Sequence, residues 1–322
     1  MVFTQILRRL VYIALCGILS SCTAYRTLQI EMLEPSQIQL NEGKHIALLD
    51  RNICYQMNPI RFIERYEEVS RENLYAQFTL GLADLLKDTE RFDSIVPLAA
   101  QEVTVLENQT LPKPLSPDSV TSLCQKYKVD YLISIELFYY DIPQTTGVLS
   151  NHWLIRLYTP QAPFLLDSVI LNHKLTAVYP ENGELLNAII DGAWQEGRNY
   201  AQRIVPYWKS DKRRIYNSGK VLTLGDNFLK DKNIEEALNI WNGALNISTK
   251  MAIKASANIA WIYEDAGDFE GAADVLQEAC RLAIENRINN ADVVYVQNYL
   301  HIIQQRIEKR QLLDQEIAPG KD

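Results

Sequence analysis

At 322 residues and 47% hydrophobic, the chain can bury a substantial core, and its length suggests about two domains. Such a composition excludes an intrinsically disordered protein. A formal charge of -8 argues against nucleic acid as a partner, because a phosphate backbone is held by an excess of Lys and Arg.

The first element in chain order reads as an address signal. Arg8 and Arg9 precede an apolar segment from Leu10 to Leu19, which is shorter than the roughly 20 residues a spanning helix requires. It has the proportions of a secretory h-region. Leu19-Ser20-Ser21-Cys22 follows at once and resembles a bacterial lipobox, in which small residues before the cysteine let the chain enter the signal peptidase cleft. The resemblance implies a signal peptide over 1–21 and a diacylglycerol on Cys22; an ordinary secretory peptide with a coincidental cysteine is the alternative. Acyl chains, at roughly 0.8 kcal/mol per buried methylene, would hold the protein on a membrane without a spanning helix. No second apolar run approaches spanning length, so the remainder is expected outside the cytoplasm. The residues after Cys22, "TAYRTLQ", contain no Asp beside the cysteine and no acidic run. By resemblance to known sorting patterns, this places the protein on the outer membrane, facing the periplasm.

In residues 22–43, Leu28, Ile30 and Met32 alternate with Gln29 and Glu31, which predicts a first strand. An α/β domain is expected over 44–205. "HIALLD" (45–50) reads as a more buried strand. Leu74, Phe78, Gly81, Leu82 and Leu85 then recur at helical spacing, and "FDSIVPL" supplies a short strand. Ser116 is the expected N-cap of a second helix with Pro117 in its first turn, and Val120, Leu123, Cys124 and Tyr127 form its apolar stripe. "DYLISIELF" follows as a strand, then "HWLIRLYT" and "FLLDSVILNHKL" as two more across a turn from Pro160 to Pro163. This order predicts a mixed sheet with flanking helices.

Arg91-Phe92, and Asp130-Tyr131 with Ile133, fall where a helix ending in "s-x-R-F" and a later "a-D-Y-x-I-x-G" strand recur in a known group. Over roughly 44–180 the chain thus resembles the periplasmic α/β domain shared by the curli secretion lipoprotein and the amino-terminal domain of TolB. It departs from that group at Glu136, where a small residue is usual, and it lacks the paired amphipathic membrane strands of a secretion pore.

A long helical stretch is expected from Glu184 through "YAQRIVPYWKSDKRRIYNSG" (200–219), kinked or interrupted at Pro206. Its basic residues Arg203, Lys209, Lys212, Arg213 and Arg214 read as a solvated helix face, or as a contact with anionic lipid headgroups. Over 206–288 the chain repeats itself. Leu224, Gly225, Phe228, Ala237, Trp241 and Ala244 are followed by Ile259, Ala260, Tyr263, Ala272, Leu276 and Ala279, with Ala237 to Ala272 giving a period of 35. The pattern resembles the tetratricopeptide repeat, whose period is 34. Small residues, Gly225, Ala237, Ala260, Ala272 and Ala279, let antiparallel helices approach, and Trp241 fills the space beside them. Over 289–322, Val293, Val296, Leu300, Ile303 and Ile307 step along a final capping helix and tail. The resemblance implies a short groove lined by Leu222, Asp226, Leu229, Lys254, Ala257, Trp261 and Glu264, in which Trp261 is either a partner anchor or a buried structural ring.

No H-E-x-x-H, G-x-S-x-G or phosphate-loop motif occurs, and "GAWQEGR" (192–198) lacks the phosphate-binding Lys. The histidines His45, His152, His173 and His301 are widely spaced; even if His152 and His173 met across a strand pair, two ligands would not make a zinc site. No metal, cofactor or catalytic residue is therefore expected. Of the cysteines outside the leader, Cys54 and Cys124 either pair or remain separate buried thiols. Taken whole, the chain resembles lipoproteins of Bacteroidota that join an α/β domain to tetratricopeptide repeats. The expected function is a non-enzymatic envelope scaffold, anchored by its lipid and binding an unidentified protein through its repeats. The alternative is a subunit of a secretion or assembly complex that self-associates through the α/β domain; a hydrolase without a recognisable motif ranks third.

Overall fold

The computed structural model describes residues 25–41, 43–55, 70–102, 104–106, 110–141, 148–176 and 182–317. The expected signal peptide and Cys22 lie outside the described residues. In chain order the first elements are β1 (Tyr25–Glu34), β2 (His45–Tyr55), α1 (Arg71–Asp88), β3 (Ser94–Pro97), β4 (Thr104–Leu106) and α2 (Pro117–Tyr127). Then come β5 (Tyr131–Asp141), β6 (Val148–Tyr158), β7 (Leu165–Thr176), α3 (Asn182–Ile204) and β8 (Tyr207–Tyr216). Five helices complete the chain: α4 (Lys220–Lys230), α5 (Ile234–Ala244), α6 (Thr249–Asp265), α7 (Phe269–Glu285) and α8 (Ala291–Ile317). The chain divides into two compact units, Leu33–Tyr207 with Leu313–Asp322, and Trp208–Leu312 with the residues up to Met32.

The first unit is built on a mixed sheet of order β3-β2-β5-β6-β7, with β4 also beside β2. β2 runs parallel to β3, β4 and β5, while β6 and β7 continue antiparallel. On one face, α1 and α3 cover Ile46, Leu48, Ile133, Ile135, Trp153, Ile155 and Leu157. Trp153 lies between Phe78 and Phe138, with ring centroids at 5.2 and 4.8 Å. α1 and α3 cross with their backbones nearly touching: a Cβ on Gly81 would lie 1.9 Å from the Trp194 carbonyl oxygen, and one on Gly197 2.1 Å from that of Phe78. Any side chain larger than hydrogen would force the helices apart. On the opposite face, Val120 and Cys124 of α2 pack against Ala47, Leu49, Leu132 and Tyr158. Ser116 caps α2 by accepting from the Ser119 amide, as its position before Pro117 predicts. Cys124 is a buried free thiol, and the side chain of Cys54 lies outside the described residues.

The helical stretch expected through residue 219 is corrected by the structure. α3 ends at Ile204, and the basic run forms strand β8, which pairs with β1 in a two-stranded sheet. Pro206 explains the break, since it has no N–H to donate and disfavours helical geometry at Val205. Beyond it, burial alternates, with Lys212 and Arg214 less buried than Arg213 and Ile215.

In the second unit, α4 to α7 form two helical hairpins whose details recur at 35-residue separation. Lys232 and Gly267 both take positive φ in the hairpin turns, at 60° and 78°. The next residues, Asn233 and Asp268, each cap the following helix. Ala237 and Ala272 are both fully buried, as are Trp241 and Leu276. A Cβ on Gly225 would fall 2.3 Å from the Trp241 ring nitrogen, so the indole requires glycine there. α8 adds Val293, Val296, Tyr299 and Ile303 to the same core.

Candidate functional site

The residues expected to line an open groove occupy α4 and α6, and the structure fills that row with side chains of the same unit. Asp226, fully buried, pairs with Arg26 of β1 at 2.6 Å and with Lys230 at 2.8 Å. Glu264, 2% exposed, accepts from Arg213 of β8 at 2.9 and 3.0 Å, from Tyr299 at 2.6 Å and from Arg306 at 2.5 Å. Lys254 lies 3.5 Å from Asp292 and over the Tyr216 ring. Leu222, Leu229 and Ala257 belong to the hydrophobic core, and so does Trp261, which is 9% exposed. The expectation of an accessible groove along Asp226, Lys254, Trp261 and Glu264 is therefore corrected: β1, β8 and α8 cover it. Burial opposes charge on Arg213, but the hydrogen bonds and charge of Glu264 more than offset this and hold its pKa above the ordinary guanidinium value. The Tyr299 hydroxyl is raised well above its usual range, first by burial and then by the Glu264 charge.

The α/β unit holds a second polar cluster that residue order alone does not assemble. A bulge in β5 sets Ile135 opposite Ile155 and Leu137 opposite Leu154, leaving Glu136 as the extra residue. On β2, Arg51 and Asn52 are likewise inserted between the Asp50 and Ile53 pairings. These bulges turn Glu136 and Arg51 toward one another. Glu136, fully buried, pairs with Arg51, accepts from the Tyr158 hydroxyl at 2.7 Å and stands 3.5 Å from Arg156 Nη1. Arg156 Nε donates to Ser168 at 3.3 Å, and Arg51 Nη1 to the Lys113 carbonyl at 2.8 Å. Burial, then the nearby Glu136 charge, raises the Tyr158 pKa, so Tyr158 acts as a neutral donor. The sequence carried a signal for this cluster in Glu136 and Arg156, charges set within the mostly apolar runs "LISIELF" and "WLIRLY".

The motif residues Arg91, Asp130 and Tyr131 have a definite task. Asp130 accepts from the amides of Lys44 and His45 at 2.8 and 2.9 Å. Arg91 donates to the Gly43 carbonyl at 2.7 Å, and Tyr131 to that of Asn41 at 3.0 Å. Together they fix the chain leading into β2. Beside them lies a cleft of about 420 Å³ lined by Asn41, Gly43, Asp130, Tyr131, Thr159 and Gln161 among others. His152 stands opposite Asn172, and His173 opposite Asn151, so the two histidines are not cross-strand partners. Among the described residues, no group of three or more His, Cys, Asp or Glu could hold a metal, and no helix is long and apolar enough to cross a membrane.

These features define a protein with a mixed α/β sheet unit followed by a region of helical hairpins, with buried carboxylate–guanidinium clusters in both. The chain belongs to the family described as "Domain of unknown function (DUF8603)", whose model matches residues 51–216, just over half of it. A second model, "Domain of unknown function (DUF6340)", matches residues 224–305. No curated protein sequence matches the chain. Among solved structures, the PelC dodecamer from Paraburkholderia phytofirmans is similar at a TM-score of 0.31 and 8% identity, covering 55% of this chain and 98% of that one. The hypothetical protein CT253 from Chlamydia trachomatis gives 0.30 and 10% identity, over 49% and 96% of the two chains. Lipoprotein GNA1162 from Neisseria meningitidis gives 0.23 and 11%, over 48% and 99%. Likenesses at these scores carry no inference about this chain.

Proposed function

We propose that the protein is an envelope lipoprotein acylated on Cys22, held at the outer membrane facing the periplasm, and acting as a non-enzymatic scaffold. The single observation that carries this reading is the register of the leader: Arg8-Arg9, the apolar run to Leu19 and Ser20-Ser21-Cys22 follow one another at the spacing a lipoprotein signal requires. Strand β1 begins three residues after Cys22, so the acyl chains would tether the β1/β8 ribbon within about 11 Å of chain from the bilayer. The 35-residue recurrence of turns, caps and buried small residues supports tetratricopeptide-type hairpins as the scaffold. With Asp226 and Glu264 engaged inside the unit, a protein partner would meet a surface other than that row. Metabolic labelling with a clickable palmitate tests the anchor. Wild-type protein should be marked and sediment with membranes, and Cys22→Ser should be neither; an unmarked wild-type protein ends the lipoprotein reading.

A further inference from the structure

The cluster around Glu136 is unbalanced in charge and in hydrogen bonding. Among the described residues, two guanidinium groups, Arg51 and Arg156, share one carboxylate, because Asp50, the neighbour of Arg51, is taken by Arg71. Tyr158 contributes a neutral donor. Among these residues one positive charge is left in excess, with the Arg156 side chain 6% exposed and that of Glu136 fully buried. Among the described residues, three buried polar atoms here have no hydrogen-bond partner: Arg51 Nε, Arg156 Nη1 and Ser134 Oγ. The 3.5 Å separation of Arg156 Nη1 from Glu136 is an ion-pair distance, and no hydrogen bond forms across it. Ser134 and Arg156 are direct cross-strand partners, as are Arg156 and Ser168, so these side chains form one row across β5, β6 and β7. A buried cation without a matching anion is costly, as is each unpaired donor. The sheet nevertheless holds all of them on one face.

We propose that this row, with Arg51 of β2 beside it, is a binding site for a small oxyanion, a carboxylate or phosphate group. Its oxygens would accept from Arg51 Nε, Arg156 Nη1 and the Ser134 hydroxyl, and its charge would balance the second guanidinium. Planar guanidinium forks suit such groups, and the positions of these two are fixed by Glu136, Ser168 and the Lys113 carbonyl. Of the two guanidinium side chains, that of Arg51 is the more exposed, at 18%. This inference does not depend on the anchor at Cys22.

The test is titration calorimetry on the full chain in neutral detergent, with inorganic phosphate and acetate as separate ligands and chloride at matched ionic strength as the baseline. Wild-type protein should bind at least one of the two saturably, and the arm that binds identifies the group. Arg156→Met should abolish binding, and Ser134→Ala, which removes only a hydroxyl, should weaken it several-fold. Glu136→Gln supplies the decisive sign. With the competing carboxylate neutralised, affinity should rise at least about tenfold, as expected for one adjacent charge in a partly buried site. If neither ligand binds, or if Ser134→Ala and Glu136→Gln both bind as wild type does, the unpaired donors are hydrated and the proposal is wrong. Should Arg156→Met not fold, the Ser134 and Glu136 variants decide the matter alone.

Discussion

The side-chain amide of Asn258 grips the main chain of Tyr216, its Oδ1 accepting from the Tyr216 amide at 2.7 Å and its Nδ2 donating to the Tyr216 carbonyl at 2.8 Å. Both residues are fully buried. A helix side chain therefore does at the end of β8 what a neighbouring strand would otherwise do.

Asn258→Ala should accordingly cost about 2 to 5 kcal/mol, because a buried amide and a buried carbonyl both lose their partners. Urea unfolding of the full chain, followed by far-UV circular dichroism, should show the transition of the helical unit at lower denaturant. A wild-type midpoint would mean that water replaces the carboxamide without loss.

Glu264→Gln should cost about 3 to 5 kcal/mol, since it leaves Arg213 and Arg306 facing a neutral group in the interior. Pairing Glu264→Leu with Arg213→Met should recover part of that loss. A double-mutant cycle measures the coupling; a value under about 0.5 kcal/mol would show that the two side chains act independently.

Two glycine substitutions should have opposite signs. Gly81→Ala places a methyl 1.9 Å from the Trp194 carbonyl oxygen and should lower stability by about 1 to 3 kcal/mol or more. Gly243→Ala in α5 meets nothing within 4 Å and should raise stability by up to about 1 kcal/mol through helix propensity. Thermal melts of both variants check the pair; a Gly81→Ala protein as stable as wild type would contradict the close approach of α1 and α3, and a destabilised Gly243→Ala would contradict the open space at α5.

Burial, and then the charge of Asp130, pushes the Cys124 thiol up to about 11 from an ordinary value of 9.0. An acid whose folded pKa is raised stabilises the fold fully below its unfolded pKa and loses that contribution as pH climbs through the folded one. Stability from this thiol should thus be intact below about pH 9 and fall between about 9 and 11. Cys124→Ala should flatten this part of the stability profile. At pH 8 the native thiol should react with a maleimide far more slowly than in urea, and equal rates would contradict its burial.

Much of the fold was legible in residue order because periodicity reports which side of an element meets water. Alternation located β1, apolar runs located β5 and β6, Ser116-Pro117 opened α2, and the 35-residue recurrence of Ala237 and Ala272 marked the hairpins. Pro206 marked the break in the helix, but the residues after it read as still helical and form strand β8 instead. The run "YWKSDKRRIY" is polar enough to resemble a solvated helix face, and it is a strand whose Arg213 is 2% exposed.

What tertiary structure decided is the pairing of charges. Arg213 and Glu264 are 51 residues apart in sequence, and Arg51 and Glu136 are 85. By itself a charged residue in sequence reads as exposed, because burying an ion without a partner is prohibitive. Only the fold brings the partner within hydrogen-bonding distance and makes burial possible. The same step engaged Asp226 and Glu264 within their own unit, and it gathered Arg51, Arg156 and Ser134 where, among the described residues, one charge is left over. Local pattern encodes solvent contact, whereas the partner of a buried charge is a property of chain segments that meet only after folding.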